Sequence, residues 1–122
     1  MSPIAVQAIE ELIGKYAPEV LVVETQFFKY NHQSIFKLVM ARGIVIVAAK
    51  KKGLAVFEYA PKKAKLAVTG NGRSSKFEVQ RMVQLLLNLS EIPTPEDAAD
   101  ALSIAICHAN SLRYQTLTPL EI

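Results

Sequence analysis

Four consecutive apolar residues, Val20-Leu21-Val22-Val23, constrain this chain more than any other feature. Three are β-branched and no polar residue interrupts them, so the run predicts a strand covered on both faces. Strands of that kind belong to parallel sheets packed between helices. The flanking sequence agrees. Residues 3–16 predict a helix: Pro3 follows Ser2 at its start, and Ile4, Ala8, Leu12 and Tyr16 line one face with Ile9 and Ile13 beside them. Pro18 closes that helix.

After the strand, Asn31 is a candidate N-cap for a helix reaching about Ala49, with Ile35, Leu38, Val39, Arg42 and Ile46 at helical spacing. Gly43 inside it suggests close packing. Lys50-Lys51-Lys52-Gly53 ends it with cations at the negative pole and glycine just past the last turn. Leu54–Tyr59 predicts a second strand and residues 61–68 a short helix. Thr69-Gly70-Asn71-Gly72-Arg73 reads as a flexible loop. Ser75-Lys76-Phe77-Glu78 fits a capping box, followed by Val79, Met82, Val83 and Leu86 as an apolar face. Thr94-Pro95 restarts the chain as N-cap and first residue of a helix to about Ser111, with Ala98, Ala101, Leu102, Ala105, Ile106 and Ala109 as its core stripe. This is an α/β layout in one domain over residues 1–122. Two parallel strands are few for a complete sheet, so either strands are hidden in the pattern or the sheet is part of a larger one.

Several function classes drop out. Cys107 is the one cysteine, which excludes a disulfide scaffold and fits a reducing compartment. With two histidines and no CxxC, a structural zinc site is not expected. No apolar run approaches the roughly 18 residues of a membrane-crossing helix. The start, MSPIAVQAIEELIGKY, carries two glutamates in its first 11 residues and no basic opening, unlike a signal or transit peptide. Charge is unevenly placed within a net +3: residues 50–82 hold nine Lys/Arg and two acids, the rest five bases and nine acids. A basic middle suggests a polyanion-binding surface, although a solvated face with lysines at helix ends gives the same count.

Glu24 stands at the carboxyl end of the first strand, where active sites of open α/β sheets collect. It could equally be an ordinary polar residue ending a strand. Asp97 and Asp100 are three apart and share a helix face. Asp97 is accounted for by the helix dipole. Asp100, set among Ala98, Ala99, Ala101 and Leu102, needs a partner, and a divalent cation such as Mg2+ is a natural one. His108 reads as a packed histidine near the helix end, His32 as a residue of its helix start and Cys107 as a small buried thiol. Of Phe27-Phe28, one side chain can join the core and the other stack on an unpaired base, or both are buried. Lys65 and Lys76 flank the glycine loop within reach of phosphates, whereas Lys50–Lys52 are better explained as helix capping.

The segments VVETQFFKYN, LVMARGIVIVAA, VFEYAPKKAK, GNGRSSKFEVQRMV and PEDAADALSIAICH, in this order from about Val20 to His108, resemble the RuvC family of bacterial Holliday-junction resolvases. The resemblance implies a ribonuclease H-like fold and a homodimeric, magnesium-dependent endonuclease that resolves four-way DNA junctions in recombination and repair. It further implies a bacterial cytoplasmic protein working beside the RuvA–RuvB branch-migration complex. By matching motif, Glu24, Asp97 and Asp100 correspond to catalytic, metal-binding carboxylates. Phe27 corresponds to a junction-recognising aromatic, and Lys65 and Lys76 to basic residues at the cut strand. The helix over 31–49 corresponds to the dimer-forming helix.

One departure stands out. The family opens with a strand bearing a first catalytic aspartate in an I-G-I-D-P-G-like motif, followed by two more strands. Here the acids before Glu24 are Glu10, Glu11 and Glu19, in or beside a helix. The chain therefore resembles the last two thirds of a resolvase, with three of four carboxylates. Little or no junction cutting by this chain alone is expected, and a non-catalytic DNA-binding or dimerisation fragment is the alternative.

Overall fold

The computed structural model describes residues 3–25, 32–114 and 120–122. Its elements are α1 (Pro3–Tyr16), β1 (Val20–Glu24), α2 (His32–Lys51), β2 (Ala55–Tyr59), α3 (Pro61–Thr69), α4 (Lys76–Leu87), α5 (Glu96–Tyr114) and β3 (Leu120–Glu121). Contacts divide them into two compact units, one of residues 1–21, 26–57 and 121–122, the other of residues 22–25 and 58–120.

In the first unit α1 ends where expected, at Ala17, whose backbone turns left-handed (φ 47°) before Pro18. Its covered stripe is Val6, Ile9 and Ile13, while Leu12 and Tyr16 are 52% and 67% exposed. Both stripes are apolar, so periodicity alone could not choose between them. α2 buries Ala48 and Ala49, and Phe36, Leu38, Val39, Met40 and Val47 stay open. Among the described residues of this chain, a Cβ at Gly43 would meet nothing within 4 Å, so no close packing is seen against it here. The α2 terminus follows its sequence: Gly53 takes φ 83° and its N–H bonds to the Lys50 carbonyl at 3.0 Å.

The sheet order is β1-β2-β3. The Ala55 N–H reaches the Glu19 carbonyl at 3.4 Å and the Thr25 N–H reaches the Tyr59 carbonyl at 2.9 Å. Both strands advance together between these bonds, so β1 and β2 are parallel. β1 is only half-buried along its length, because no strand pairs with its outer edge among the described residues. β3 was not legible in the sequence; it is two residues long, and the Ile122 N–H bonds to the Val56 carbonyl at 2.7 Å.

The second unit is built on Val68, Val79 and Val83, with Met82, Leu102 and Ile106 packed against them. Each buried valine contributes about 1.5–3 kcal/mol. The capping box is present: Ser75 Oγ accepts from the Glu78 N–H at 3.1 Å, and Glu78 Oε1 accepts from the Ser75 N–H at 3.2 Å. α5 starts at Glu96, one residue later than the sequence suggests, after a cis Thr94–Pro95 bond. Its buried face is also rotated from the expected one. Ala99, Ser103, Ile104, Cys107, His108 and Ser111 are buried, whereas Ala101, Ala105 and Ala109 are exposed. Alanine suits any helix face, so it carries little positional information. The two serines can be buried because their hydroxyls donate to the helix's own carbonyls, Ser103 to Ala99 at 2.8 Å and Ser111 to His108 at 2.7 Å.

Candidate active site

The second unit brings Glu24, Asp100 and Lys65 onto one small cleft of about 30 Å³, closed by Pro61, Ala64, Val79, Ser103 and Ile104. Glu24 is held at the end of β1 by the Thr25–Tyr59 backbone bond. Asp100 comes from the exposed edge of α5, one turn from its start, and Lys65 from α3. Burial pushes the Glu24 carboxyl above its ordinary range, Asp100 and then Asp97 push it further, and Lys65 opposes them. The three carboxylates therefore share one field, which a cation would relieve.

Lys76 marks the rim. Its Nζ donates to Glu96 Oε2 at 3.0 Å. That bond raises the ammonium above its ordinary pKa, with further contributions from Glu96, Asp100 and Asp97. Both partners are well exposed, so the pair contributes little to stability.

Among the described residues, no three His, Cys, Asp or Glu side chains enclose a metal ion by themselves. The donor chemistry nonetheless fits a hard divalent cation, since the converging groups are carboxylate oxygens. Magnesium in particular binds through few carboxylates and retains waters.

The glycine loop carries a set of local side-chain hydrogen bonds. Thr69 Oγ1 reaches the Lys65 carbonyl at 2.8 Å and the Asn71 carbonyl at 2.9 Å, accepts from the Asn71 N–H at 3.1 Å and touches Ser74 Oγ. Ser74, 3% exposed, donates to the Asn71 carbonyl at 2.6 Å. Gly70 takes φ 80° as the cap of α3, and the Arg73 N–H bonds to Asn71 Oδ1 at 2.9 Å. Arg73 is thereby presented to solvent from a hydrogen-bonded backbone, between Lys65 and Lys76 in the chain. Sequence reading missed this network; Thr69, Asn71 and Ser74, each able to bond the backbone locally, were its signal.

Phe27, with Phe28 and Asn31, lies outside the described residues. Cys107 is fully buried, and burial raises its thiol, as befits an inert packed cysteine. His108 is likewise packed: Nδ1 lies 2.6 Å from the Tyr59 hydroxyl, ring to ring in a T-shape. Burial lowers the His108 pKa below its ordinary value. The unfolded chain then takes up this proton at a higher pH than the native one. Stability tied to His108 is full above its ordinary pKa and is lost as pH falls toward its lowered native value. Urea midpoints at about pH 7.5 and about pH 5.5 should fall by less in His108→Gln than in the natural protein.

Comparison with known proteins decides the family. Residues 4–108 match the family described as Crossover junction endodeoxyribonuclease RuvC. The chain belongs to the RuvC family. It is 62% identical over 103 residues to the RuvC of Protochlamydia amoebophila, covering 84% of this chain and 61% of that one. It is 48% identical over 102 residues to the Halothermothrix orenii RuvC, covering 84% and 62%. The chain thus spans about three fifths of these curated relatives. Thermus thermophilus RuvC in complex with Holliday junction substrate superposes with a TM-score of 0.88 at 36% identity, over 98% of this chain and 78% of that one. The fold is accordingly the α/β, ribonuclease H-like fold of RuvC. No helix among the described residues is long and apolar enough to cross a membrane.

Proposed function

We propose that this chain acts as a RuvC-type crossover junction endodeoxyribonuclease, hydrolysing phosphodiesters of four-way DNA junctions with the help of Mg2+. The observation that carries this reading is the field shared by Glu24, Asp100 and Asp97 at a cleft bordered by Lys65. Glu24, Asp97 and Asp100 are the residues that would hold the metal, which supplies an activated water and charge stabilisation at the scissile phosphate when bound. Their own part is to present oxygens at fixed places on β1 and α5 and so orient the phosphate. Lys65 and Lys76 supply positive charge beside the strand being cut, Arg73 adds a phosphate contact, and Phe27 stacks on a base of the junction.

The protein is proposed to work as a homodimer through the helix over 31–49. In support, α2 leaves Phe36, Leu38, Val39, Met40 and Val47 open to solvent. The bacterial cytoplasm and the RuvA–RuvB complex are the setting that the family resemblance adds.

The test is cleavage of a synthetic four-way junction by the 122-residue protein in Mg2+. At most slow cutting is expected, chelator-sensitive and abolished by Glu24→Gln where it occurs, because among the described residues no three His, Cys, Asp or Glu side chains form a metal-holding group. Salt-sensitive binding with no cutting would favour the binding-fragment alternative, and no binding at low salt would overturn both. In the binding arm, Lys65→Ala and Arg73→Ala should each weaken binding and lower the slope of log affinity against log salt by about one.

A further inference from the structure

Tyr59 touches both elements that carry the proposed carboxylates. Through its backbone, its carbonyl accepts from the Thr25 N–H at 2.9 Å, immediately after Glu24. Through its side chain, its hydroxyl meets His108 Nδ1 at 2.6 Å and Ser111 Oγ at 3.1 Å, both on α5, the helix of Asp97 and Asp100. All three side chains are buried, at 3%, 6% and 4% exposure. Proton counting gives the bonds a direction. Ser111 donates its one hydroxyl proton to the His108 carbonyl at 2.7 Å. Ser111 Oγ is then the acceptor for the Tyr59 hydroxyl, and the Tyr59 oxygen accepts from His108 Nδ1–H. Each donated proton in the chain is used once, with α5 contributing both ends and β2 the middle.

We propose that Tyr59 is a positioning residue that fixes the Glu24 end of β1 relative to α5, and so sets the spacing of the carboxylates. The inference rests on the carboxylate site proposed above. A tyrosine that merely filled the core would need no hydroxyl partner on α5, and Phe would replace it with equal effect throughout the unit. A positioning tyrosine makes a different demand, because loss of the hydroxyl alone loosens the one backbone bond that follows Glu24. That loosening exceeds any change elsewhere in the unit.

The experiment is amide hydrogen exchange by NMR on the full chain, natural and Tyr59→Phe, with Ser111→Ala as the milder variant should the first fail to fold. Exchange at Thr25 should accelerate by about fivefold or more relative to Val83 in the core, the scale of one lost hydrogen bond. Mn2+ affinity, read by electron paramagnetic resonance without DNA, should fall by a similar factor. Thr25 exchange that tracks Val83 in both variants would overturn the proposal. Glu24→Gln runs beside them. If it leaves Mn2+ affinity unchanged the carboxylate reading fails, and Thr25 exchange still decides the role of Tyr59.

Discussion

Asp100→Asn is expected to slow metal-dependent junction cutting by at least about 10²-fold, the scale of removing one preorganised charged group from a reacting centre. Junction binding without metal should hold or tighten, since the substitution removes a negative charge from a surface that meets phosphates. The same variant has a second signature. Asp100 is the charge that most raises the Glu24 carboxyl after burial. Its neutralisation lets the Glu24 anion form more easily, so Glu24 should titrate at lower pH than in the natural protein. A pH titration followed at the Glu24 carboxyl carbon by NMR reads this directly. An unshifted Glu24 would show that the two residues do not share a site, whatever the cleavage result.

The second large effect is on the fold. Val83→Asp should prevent the second unit from folding. Val83 is wholly buried between Val68 and Val79 with Met82, Leu102 and Ile106 around it, and no cation lies in that cluster. An unpartnered carboxylate there costs about 4–5 kcal/mol or more, a large share of the roughly 5–15 kcal/mol that holds a domain together. Far-ultraviolet circular dichroism and a urea melt should show the loss. Leu86→Asp, one turn further along the same apolar pattern, is the control. Leu86 is 52% exposed, so the charge there stays in water and should shift stability by less than about 1 kcal/mol.

That pair also marks what the sequence could and could not disclose. Val79, Val83 and Leu86 look alike in a helical pattern, and only the folded chain separates the two packed valines from the open leucine. Features written in local chemistry were legible: the Ser75–Glu78 box, the Gly53 terminus, and Glu24 at the end of an apolar strand. Features that depend on partners distant in the chain were not. Tyr59 and His108 are 49 residues apart, and neither has a neighbour that announces the other. The rotated face of α5 has the same origin. Its alanines suit any environment, and its buried serines look polar until their backbone bonds are seen. For the carboxylates, spacing put Asp97 and Asp100 together, but only the folded chain brings Asp100 to the Glu24 cleft.

The hydrogen-bonded glycine loop has a consequence for how the protein ages. Asn71 is followed by Gly72, and an asparagine before glycine is prone to cyclise and deamidate, because no side chain shields the next amide. Ring closure needs the Asn71 carboxamide to swing onto the Gly72 nitrogen. While its oxygen holds the Arg73 N–H at 2.9 Å, that swing is opposed by the cost of losing this bond. Each opening of the loop gives the reaction a chance, and its product is a new negative charge in the most basic stretch of the chain. A stored sample would therefore carry a chemical record of how often this loop has come undone.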